Sequence, residues 1–387
     1  MNKRMFGLLS VACLTQLLSL GACKPEPPLY LYDAEEIDVD LPMVNLDLKV
    51  YWDYQSFYDD SYDWESEWYY GWDETDQLLF GEIGYTNPSV FNLRRYYTND
   101  VPRAPHTAVI PSSFTGNHFQ GMCDWGYWDF LCWNDITTLD GITSLIFDED
   151  TSLDSVVAYT NETMHNSRYQ APRYVHSFYA PEALFAAYET AIDINRNMEG
   201  FTYDAERNIY VMNLGMTLEP VTYIYLTQVI LHHNRGRITN SDGTSNLSGM
   251  ARSTTLNNGR GGSDAITVHY LSRLKQNCQK NGEPVDIIGG RLLSFGMCNQ
   301  TANLIRHYSE VTDNHRHYLD VNMQFNNGMD STFVFDVTDQ VRRRYKGGVI
   351  TIELDMDTVP IPNRSGGSGF DAVVKPVEDG GTHEFEM

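Results

Sequence analysis

The sequence predicts an all-β protein built from two tandem antiparallel β-sandwich domains, with one or two short helices. In the run Leu319–Met356, apolar and polar residues alternate in three segments, which is the period of half-buried strands. The same alternation occurs in the run Val44–Trp52, near the other end of the chain. Polar turn residues recur between these runs at the spacing of all-β folds. Strands with one apolar face bury that face against a second layer, and a β-sandwich is the simplest arrangement that does so.

The length of 387 residues is consistent with two domains. From the composition along the chain we expect four regions. They are a lipoprotein signal peptide at residues 1–22, an extended tether at residues 23–42, an N-terminal sandwich at residues 43–197 and a C-terminal sandwich at residues 198–387. The tether is rich in proline and acidic residues, which favour an extended chain.

The N-terminus has the composition of a targeting segment. Lys3 and Arg4 precede the apolar run Phe6–Leu20, which is too short and too often interrupted by polar residues to span a bilayer. The run ends in LGAC, with Cys23 as its last residue, and this resembles the bacterial lipobox, in which the cysteine is lipidated and becomes residue one. Each acyl chain would contribute about 0.8 kcal/mol per buried CH₂ to membrane binding. We therefore predict lipid attachment at Cys23 and a place in the outer membrane at the cell surface; an ordinary secretory signal cleaved nearby is the alternative.

The formal net charge of the chain is −25. A surface this acidic repels nucleic acids and anionic membrane surfaces. We therefore expect no nucleic-acid partner, and the acidity is also typical of a soluble surface in an extracellular setting.

Four cysteines follow Cys23 in the mature chain, and export favours disulfides. They are Cys123, Cys132, Cys278 and Cys298. Four cysteines allow three connectivities, of which proximity in the sequence favours Cys123–Cys132 and Cys278–Cys298. Free buried thiols are the alternative, and none of the spacings is that of a zinc site.

The run Tyr51–Gln77 contains eleven aromatic and nine acidic residues. One hypothesis is a glycan-binding platform in which Trp64, Trp68 and Trp72 stack on sugar rings while nearby acids accept hydroxyl hydrogen bonds. A second is calcium bound by loop carboxylates, although the EF-hand spacing does not occur. A third is a long loop or hairpin whose aromatic side chains pack on their own domain. The carboxylates of the calcium hypothesis are Asp59, Asp60 and Asp63.

Several elements are predicted between these landmarks. The run Pro181–Ile194 is predicted as a short helix, because proline is favoured at the first helical position and the following apolar residues share one face. Gly121–Trp133 is predicted as a disulfide-stapled loop and Asn240–Asn246 as a turn-rich loop. The predicted strands are Leu78–Tyr85, Asn92–Tyr97, Ala108–Ile110, Ile142–Phe147, Ser155–Tyr159, Ile209–Leu218, Val221–Leu231, Ala265–Leu274, Val285–Phe295 and Leu304–Ser309.

The run Leu319–Met356 predicts three strands, the first two joined by a turn at Asn326–Gly328. A helical turn through Arg344 follows, ended by Gly347 and Gly348. Four short motifs in the second half then resemble a family of fimbrillin-like lipoproteins of Bacteroides-group bacteria, which is catalogued as a domain of unknown function. These motifs are FDVTDQV (Phe335–Val341), GSGFDAVV (Gly367–Val374), LSGMA (Leu247–Ala251) and the SFG that ends a strand (Ser294–Gly296). The first half matches the family only through APEALF (Ala180–Phe185).

The resemblance implies two transthyretin-like Greek-key sandwiches and no catalysis. It also implies partners, because shaft subunits of such fimbriae lose a leading segment to an arginine-specific protease and accept a strand from a neighbouring subunit. In this chain the first arginine after Cys23 is Arg94, well beyond the first strand. This departure fits a subunit that keeps its lipid, such as an anchor or an accessory subunit.

No catalytic motif occurs in the sequence, neither a nucleophile elbow nor a zinc-protease, Walker or dinucleotide motif. His315 and His317 share a face if they are extended, with His307 nearby, whereas the adjacent His232 and His233 would point in opposite directions. We expect these histidines to be packed or exposed, and we predict no enzyme activity, no cofactor and no metal. The predicted function is a non-catalytic, lipid-anchored component of cell-surface fimbriae that acts in adhesion. The alternative is a surface glycan-binding lipoprotein that uses residues 51–77.

Overall fold

The computed structural model describes residues 42–50, 63–98, 101–102, 104–136, 144–149, 156–162, 177–197, 199–299, 314–362 and 371–374. The signal peptide, nearly all of the tether and Cys23 lie outside these residues. So do Asp59, Asp60, His307 and the predicted strand Leu304–Ser309. The described residues belong to one compact unit, Pro42–Met387, and are mostly β-strand. No helix in this part of the chain has the length and hydropathy needed to cross a bilayer.

The elements up to residue 220 are eleven strands and two short helices among the described residues. In order they are β1 (Met43–Val50), α1 (Trp64–Glu67), α2 (Glu74–Phe80), β2 (Val90–Tyr97), β3 (Ala108–Thr115), β4 (His118–Met122), β5 (Gly126–Asn134), β6 (Leu145–Glu149), β7 (Val156–Thr160), β8 (Ser177–Tyr179), β9 (Phe185–Ile194), β10 (Phe201–Asp204) and β11 (Ile209–Pro220).

Nine further strands and one helix follow in the described residues. They are β12 (Tyr223–His232), β13 (Ile238–Ala251), β14 (Ser253–Thr255), β15 (Ala265–Lys280), β16 (Glu283–Ser294), β17 (Tyr318–Phe325), β18 (Asp330–Asp336), α3 (Thr338–Arg343), β19 (Gly348–Asp355) and β20 (Asp371–Val374).

The first sheet has the order β3-β2-β5-β9-β11-β1-β4, and β10 pairs with β11. β11 connects its two parts, because residues 211–218 pair in parallel with β1 whereas Glu219 and Pro220 pair with β9. The alternating apolar residues of β1 are buried in a core cluster that also includes Trp128 and Phe130 of β5. β11 therefore belongs to the sheet formed by the strands of the first half. The domain boundary expected from the sequence lies before it, between residues 197 and 198.

The second sheet has the order β19-β12-β16-β15-β13-β17-β18-β20, and β8 pairs with β15. The long strand β15 pairs with β13 over residues 265–271 and with β16 over residues 272–280. One large core cluster receives side chains from both parts, for example Tyr225 and Ile350 from one and Leu319 and Phe335 from the other. β15 thus connects the two parts of the second sheet, as β11 connects the two parts of the first.

A small third sheet, β14-β7-β6, combines strands from both halves of the sequence. Its Val156 and Ala158 are buried with Trp133 of the first sheet and with Phe295, which follows β16. This cluster therefore fixes parts of the first half against parts of the second.

The predictions for the run 319–356 are confirmed. β17 and β18 form the hairpin, with Gly328 at φ 78° in its turn, followed by α3 and then β19. Gly347 precedes β19 at φ 93°, where an added Cβ would lie 2.2 Å from the carbonyl oxygen of Ile224. A glycine is therefore required at this helix end both by the backbone angle and by the close neighbouring strand.

Four predicted elements are wrong. The helix at Pro181–Ile194 is the strand β9, which pairs with β5 on one side and β11 on the other. The loop at Gly121–Trp133 is largely the buried strand β5, and the loop at Asn240–Asn246 lies within β13, whose register shifts between Ser241 and Ser245. The strand at Leu78–Tyr85 is instead the end of α2 and an irregular segment. In the first three cases, pairing with distant strands overrides the local preference. In the fourth, α2 follows a local signal, the capping box of Asp73 and Asp76.

No disulfide joins Cys123, Cys132, Cys278 or Cys298 in the structure, so the predicted pairings are not formed there. Cys278 lies opposite Val285 near the start of β16, whereas Cys298 follows the far end of that strand. Nine residues of extended strand separate these points by about 30 Å, but a disulfide requires Cα atoms within about 7 Å. Cys123 instead accepts a hydrogen bond from Nη1 of Arg95 at 3.8 Å. Burial raises the pKa of Cys123 to about 11 and raises that of Cys132 further.

Candidate functional site

Residues 63–85, which we call the strap, lie across the outer face of β12, β16 and β19. The strap includes α1 and α2 and forms the described part of the aromatic-acidic stretch. Trp68 and Tyr70 are buried against Ile224, Leu226 and Ile230 of β12, while Val285, Ile287, Leu293 and Val349 complete this cluster. β12 is consequently covered on both faces, which explains why its sequence does not alternate cleanly between apolar and polar residues.

Gln228 is the polar residue in the apolar row that faces the strap, and its side chain is fully buried. Its Oε1 accepts hydrogen bonds from the backbone N–H groups of Tyr69 and Tyr70 at 3.0 and 3.3 Å. Its Nε2 donates to the carbonyl oxygen of Glu67 at 2.7 Å and to Oγ1 of Thr351 at 2.9 Å. All four hydrogen-bonding positions of the amide are therefore used, three of them by the strap.

Asp76 of α2 is a buried carboxylate surrounded by donors. It accepts hydrogen bonds from Oη of Tyr70 at 2.8 Å, from Nη1 of Arg273 at 2.7 Å and from Nζ of Lys275 at 2.6 Å. Burial and then the hydrogen bond to Asp76 raise the pKa of Tyr70 above its ordinary value. The two cations of β15 thus neutralise a carboxylate that would otherwise be costly to bury.

Asp73 is the N-cap residue of α2 and pairs with the same two cations as Asp76. Its side chain accepts hydrogen bonds from the backbone N–H groups of Thr75 and Asp76, which is an N-cap arrangement. It also pairs with Arg273 at 3.2 Å and with Lys275 at 3.1 Å. The backbone hydrogen bond from Asp76 and these two cations lower the pKa of Asp73.

The three tryptophans of the predicted glycan platform belong to the strap, but they do not form one exposed surface. Trp68 is only 9% exposed and donates through Nε1 to the carbonyl oxygen of Gly71. Trp64 and Trp72 are half-buried and pack against the same apolar cluster. Trp68 is therefore too buried in this structure to stack on a sugar jointly with the other two. The aromatic residues of 63–77 pack on the chain's own sheet, as in the third interpretation. Of the three carboxylates in the calcium hypothesis, the structure describes only that of Asp63, which caps α1.

The end of the strap is fixed to the second sheet as well. Arg291 of β16 donates to the carbonyl oxygens of Ile83 and Gly84 at 2.9 and 3.0 Å. Oη of Tyr85 donates to the carbonyl oxygen of Thr222 at 2.5 Å. The Tyr85 ring packs against the first-sheet cluster as well as the strap cluster, so the strap ends at a point shared by both sheets.

A cavity of about 260 Å³ opens between the strap, α3 and β19. Its lining includes the half-buried Tyr69, the amide of Gln340 and the guanidinium groups of Arg343 and Arg344. Arg344 donates to both carboxylate oxygens of Glu67 at 2.9 and 3.2 Å. An aromatic ring beside arginine side chains can bind a small polar ligand that carries an anionic group.

The motifs that carry the family resemblance meet at one place in the second sheet. Gly249 of LSGMA has φ 86°, and a Cβ there would lie 2.4 Å from the carbonyl oxygen of Arg316. The backbone N–H of Ala251 donates to the carbonyl oxygen of Gly296 in SFG, and that of Val337 in FDVTDQV donates to the carbonyl oxygen of His317. Residues 371–374 of the fourth motif pair in parallel with residues 332–335 of β18.

The adjacent His232 and His233 both face β19. The expectation that they point apart applies to an extended chain, and the chain is not extended at His233. His232 pairs with Glu353 through Nε2 at 2.8 Å, and His233 pairs with Asp355 through Nδ1 at 2.9 Å. His233 has φ 52°, so the chain leaves the extended conformation there and the ring turns back toward the neighbouring strand. The hydrogen bond from His233 lowers the pKa of Asp355. His317, by contrast, is fully buried beside Gly249, and His315 is half-exposed.

Comparison with known proteins gives structural similarities alone, because no family model and no curated protein matches the sequence. A proposed adhesin of Bacteroides ovatus ATCC 8483 is similar over 83% of this chain and 94% of its own, with 12% identity and a TM-score of 0.47. The fimbrial anchor protein Mfa2 of Porphyromonas gingivalis is similar over 80% of this chain and 90% of its own, with 10% identity and a TM-score of 0.38. The tip fimbrial protein Mfa3 of the same organism is similar over 78% of this chain and 93% of its own, with 9% identity and a TM-score of 0.29.

Sequence reasoning identified the strap as unusual but missed the residues that position it. Gln228 was the one indication that polar groups from another segment lie against this strand. A glutamine within a run of strand-forming apolar residues requires polar partners when it is buried. Nothing in the local sequence indicated that those partners are backbone groups 158 to 161 residues away.

Proposed function

We propose that this chain is a non-catalytic, lipid-anchored component of cell-surface fimbriae that acts in adhesion, as an anchor or accessory subunit. The observation that carries the proposal is a series of backbone contacts that links the four motif segments. SFG contacts LSGMA, LSGMA contacts residues 316–317, these contact FDVTDQV, and FDVTDQV begins beside residues 371–374. Segments that lie far apart in the sequence contact one another there, and Gly249 leaves no room for a side chain. Motifs that build one packed unit support the resemblance better than scattered matches do.

The position of Arg94 supports the role of anchor or accessory subunit. Arg94 lies in β2, which is paired with β3 on one side and β5 on the other, and it is 8% exposed. Proteases cleave exposed, unpaired segments far more readily than paired strands. Cleavage at the first arginine after Cys23 would therefore cut a paired strand rather than release a leading segment.

In this proposal the two halves are tandem transthyretin-like sandwiches, and other fimbrial subunits associate by adding a strand to a sheet edge. The outer strands β3 and β4 of the first sheet and β19 and β20 of the second are the candidate edges among the described residues. Cys23 holds the molecule in the outer membrane through its lipid.

The first test is an immunoblot of membrane and sheared-surface fractions, unheated and boiled. The expected result is a membrane-bound protein that shearing does not release, together with loss of fimbriae from cells that lack the gene. A ladder of high-mass bands that is released by shearing and collapses on boiling would instead assign a shaft or tip role. A Cys23→Ala variant is expected to leave the membrane fraction, and its retention there would refute lipid anchoring at this residue.

A second candidate, glycan binding, is favoured by the cavity beside Tyr69. We propose this cavity, rather than a tryptophan platform, as the place where the aromatic-acidic stretch would contact a sugar with an anionic group. Glycan-array binding that is lost in Tyr69→Ala and Arg343→Ala but kept in Trp72→Ala would support this candidate. An array without binding, or equal binding by all three variants, would exclude it.

A further inference from the structure

We propose that His233, Asp355 and Asp357 form a binding site for a divalent transition-metal ion, with Zn²⁺ or Ni²⁺ as the expected occupant. One ligand atom from each residue lies within 4.8 Å of the other two. One imidazole nitrogen and two carboxylates are ligands that such ions accept, and three protein ligands leave positions for water.

The strand register brings these residues together. β12 and β19 run in parallel with His232 opposite Asp355, so both strands end at the same edge of the sheet. His233 follows the last residue of β12, and Asp357 follows Asp355 by two residues in the turn after β19. The ladder fixes Asp355 within β19, and His233 and Asp357 lie one and two residues beyond the ends of their strands.

The turn that carries Asp357 is fixed by several hydrogen bonds. The backbone N–H of Met356 donates to the carbonyl oxygen of His232 at 2.9 Å, and that of Thr358 donates to the carbonyl oxygen of Asp355 at 3.0 Å. Arg237 donates to the carbonyl oxygens of Met356 and Val359 from the other side. The backbone of the turn that carries the two carboxylates is thus largely set before an ion binds.

The three ligand atoms must move slightly to reach the spacing that a zinc ion requires. Ligands of a four-coordinate zinc ion lie about 3.4 Å apart when each bond is about 2.1 Å. His233 Nδ1 and Asp355 Oδ1 already lie 2.9 Å apart, so the remaining movement falls mainly on Asp357. Its side chain is exposed and can move by that amount by rotating about its own bonds.

Arg235 is the competing cation. Its guanidinium lies 3.4 Å from Asp357 Oδ2, and its side chain is 70% exposed. An exposed ion pair of this kind is weak, so a metal ion can displace the guanidinium. Nη1 of Arg237 also lies 4.0 Å from Asp357 Oδ1, but it donates to the carbonyl oxygen of Met356. Lys280 is paired with Glu353, which His232 also contacts. Removing Arg235 is therefore expected to strengthen metal binding.

The test is titration calorimetry of Zn²⁺ and of Ni²⁺ with the untagged, detergent-solubilised full chain. Cys278→Ser serves as the common background, because Cys278 is a half-buried thiol that could bind either ion. We expect one ion per chain, with affinity reduced about tenfold or more in His233→Ala and in Asp357→Asn. In Arg235→Ala we expect the affinity to increase.

The matched control is His118→Ala. His118 Nδ1 lies 2.8 Å from Asp47 Oδ1, and both side chains are exposed, so this pair reproduces the His233–Asp355 pair without the third ligand. The variant is expected to bind like the background protein. No binding up to about 1 mM, where the binding free energy is only about −4 kcal/mol, would overturn the proposal. Equal loss in His118→Ala and His233→Ala, with circular dichroism showing both to be folded, would overturn it as well.

Discussion

At the scale of single residues, Gln228 and Gly289 decide how the strap lies on the second sheet. They are opposite one another on β12 and β16. Gln228 supplies hydrogen bonds to the strap backbone, and Gly289 supplies the space for the Tyr70 ring, because a Cβ there would lie 2.4 Å from that ring. The hydrogen bonds of Gln228 and the space beside Gly289 thus position the same short segment of the strap.

Replacing Gln228 with alanine is expected to lower the free energy of unfolding by about 3 kcal/mol, since it leaves buried backbone groups of the strap without partners. Urea unfolding measures this change. Gln77→Ala is the control, because Gln77 is an exposed glutamine of the same strap, and it is expected to change stability by less than about 0.5 kcal/mol. Equal effects of the two substitutions would show that Gln228 does not hold the strap.

Replacing Gly289 with alanine is expected to destabilise the protein by about 1–3 kcal/mol, because the Tyr70 ring has to move. In Gly215→Ala the added Cβ meets nothing within 4 Å, so stability should be unchanged or slightly increased. A double-mutant cycle gives the sharper measurement. Gly289→Ala should cost clearly less in a Tyr70→Ala background, and an unchanged cost there would contradict the assigned contact.

The contrast between these residues and the run Leu319–Met356 shows what the sequence can predict. Alternating apolar residues and a turn at Asn326–Gly328 define the hairpin from interactions between near neighbours, and the structure has it at the predicted place. The partners of Gln228 lie about 160 residues away, where no local pattern indicates which segment will cover the strand. The aromatic composition of the strap was visible in the sequence, but its burial against β12 was not.

At the scale of elements, α2 shows how the strap is fixed electrostatically. Asp73 caps the helix while its charge faces Arg273 and Lys275 of β15, and the same cations approach the buried Asp76. A lowered pKa means that ionised Asp73 stabilises the fold at pH values above its ordinary pKa near 4. This contribution is lost as the pH falls through the lower value of the folded state.

Asp73→Asn keeps a capping side chain but removes the charge. We expect the variant to be less stable than the wild type at pH 7 by no more than about 1 kcal/mol, because the carboxylate is well exposed. The difference should shrink as the pH falls below about 4, which urea unfolding at a series of pH values would measure. Glu74→Gln, at the next position, is the control. A difference that stays constant with pH would contradict an electrostatic role for Asp73.

The strand β9 shows where prediction of elements fails. Its sequence contains several alanines after a proline, which favours a helix start. In the structure Ala186 and Ala187 are buried between β5 and β11, where small side chains let the neighbouring layers pack closely. Ala191 has φ 57° next to a shift in register with β5, an irregularity that helix periodicity cannot indicate. Sheet pairing with distant strands therefore outweighs the local helical preference.

At the scale of the whole molecule, the four cysteines of the described residues are distributed over its packed regions. Cys123 and Cys132 lie in the first-sheet core, Cys298 lies in the cluster under the small sheet, and Cys278 lies beside the strap cluster. Each thiol therefore becomes accessible only when its own region opens. The half-buried Cys278 is the exception.

We expect a thiol reagent to label Cys278 alone in the native protein and all four of these cysteines in urea without a reductant. Peptide mass spectrometry would identify each labelled position. Burial raises the pKa of Cys123 to about 11, which further slows its reaction below that pH. Labelling in urea that requires prior reduction would show that the protein contains disulfides, contrary to the structure.

The pairing of β1 with β11 also determines when the protein can fold during its synthesis. Asn45 and Asn213 are neighbours across these strands, yet they are separated by 168 residues of chain. At about 5–20 residues per second, about 10–30 s pass between synthesis of the two strands. During that interval β1, with its buried row Val44, Leu46 and Leu48, is an apolar strand without β11. The apolar row of β1 therefore stays without its native cover, and open to aggregation, until the second half of the chain has been made.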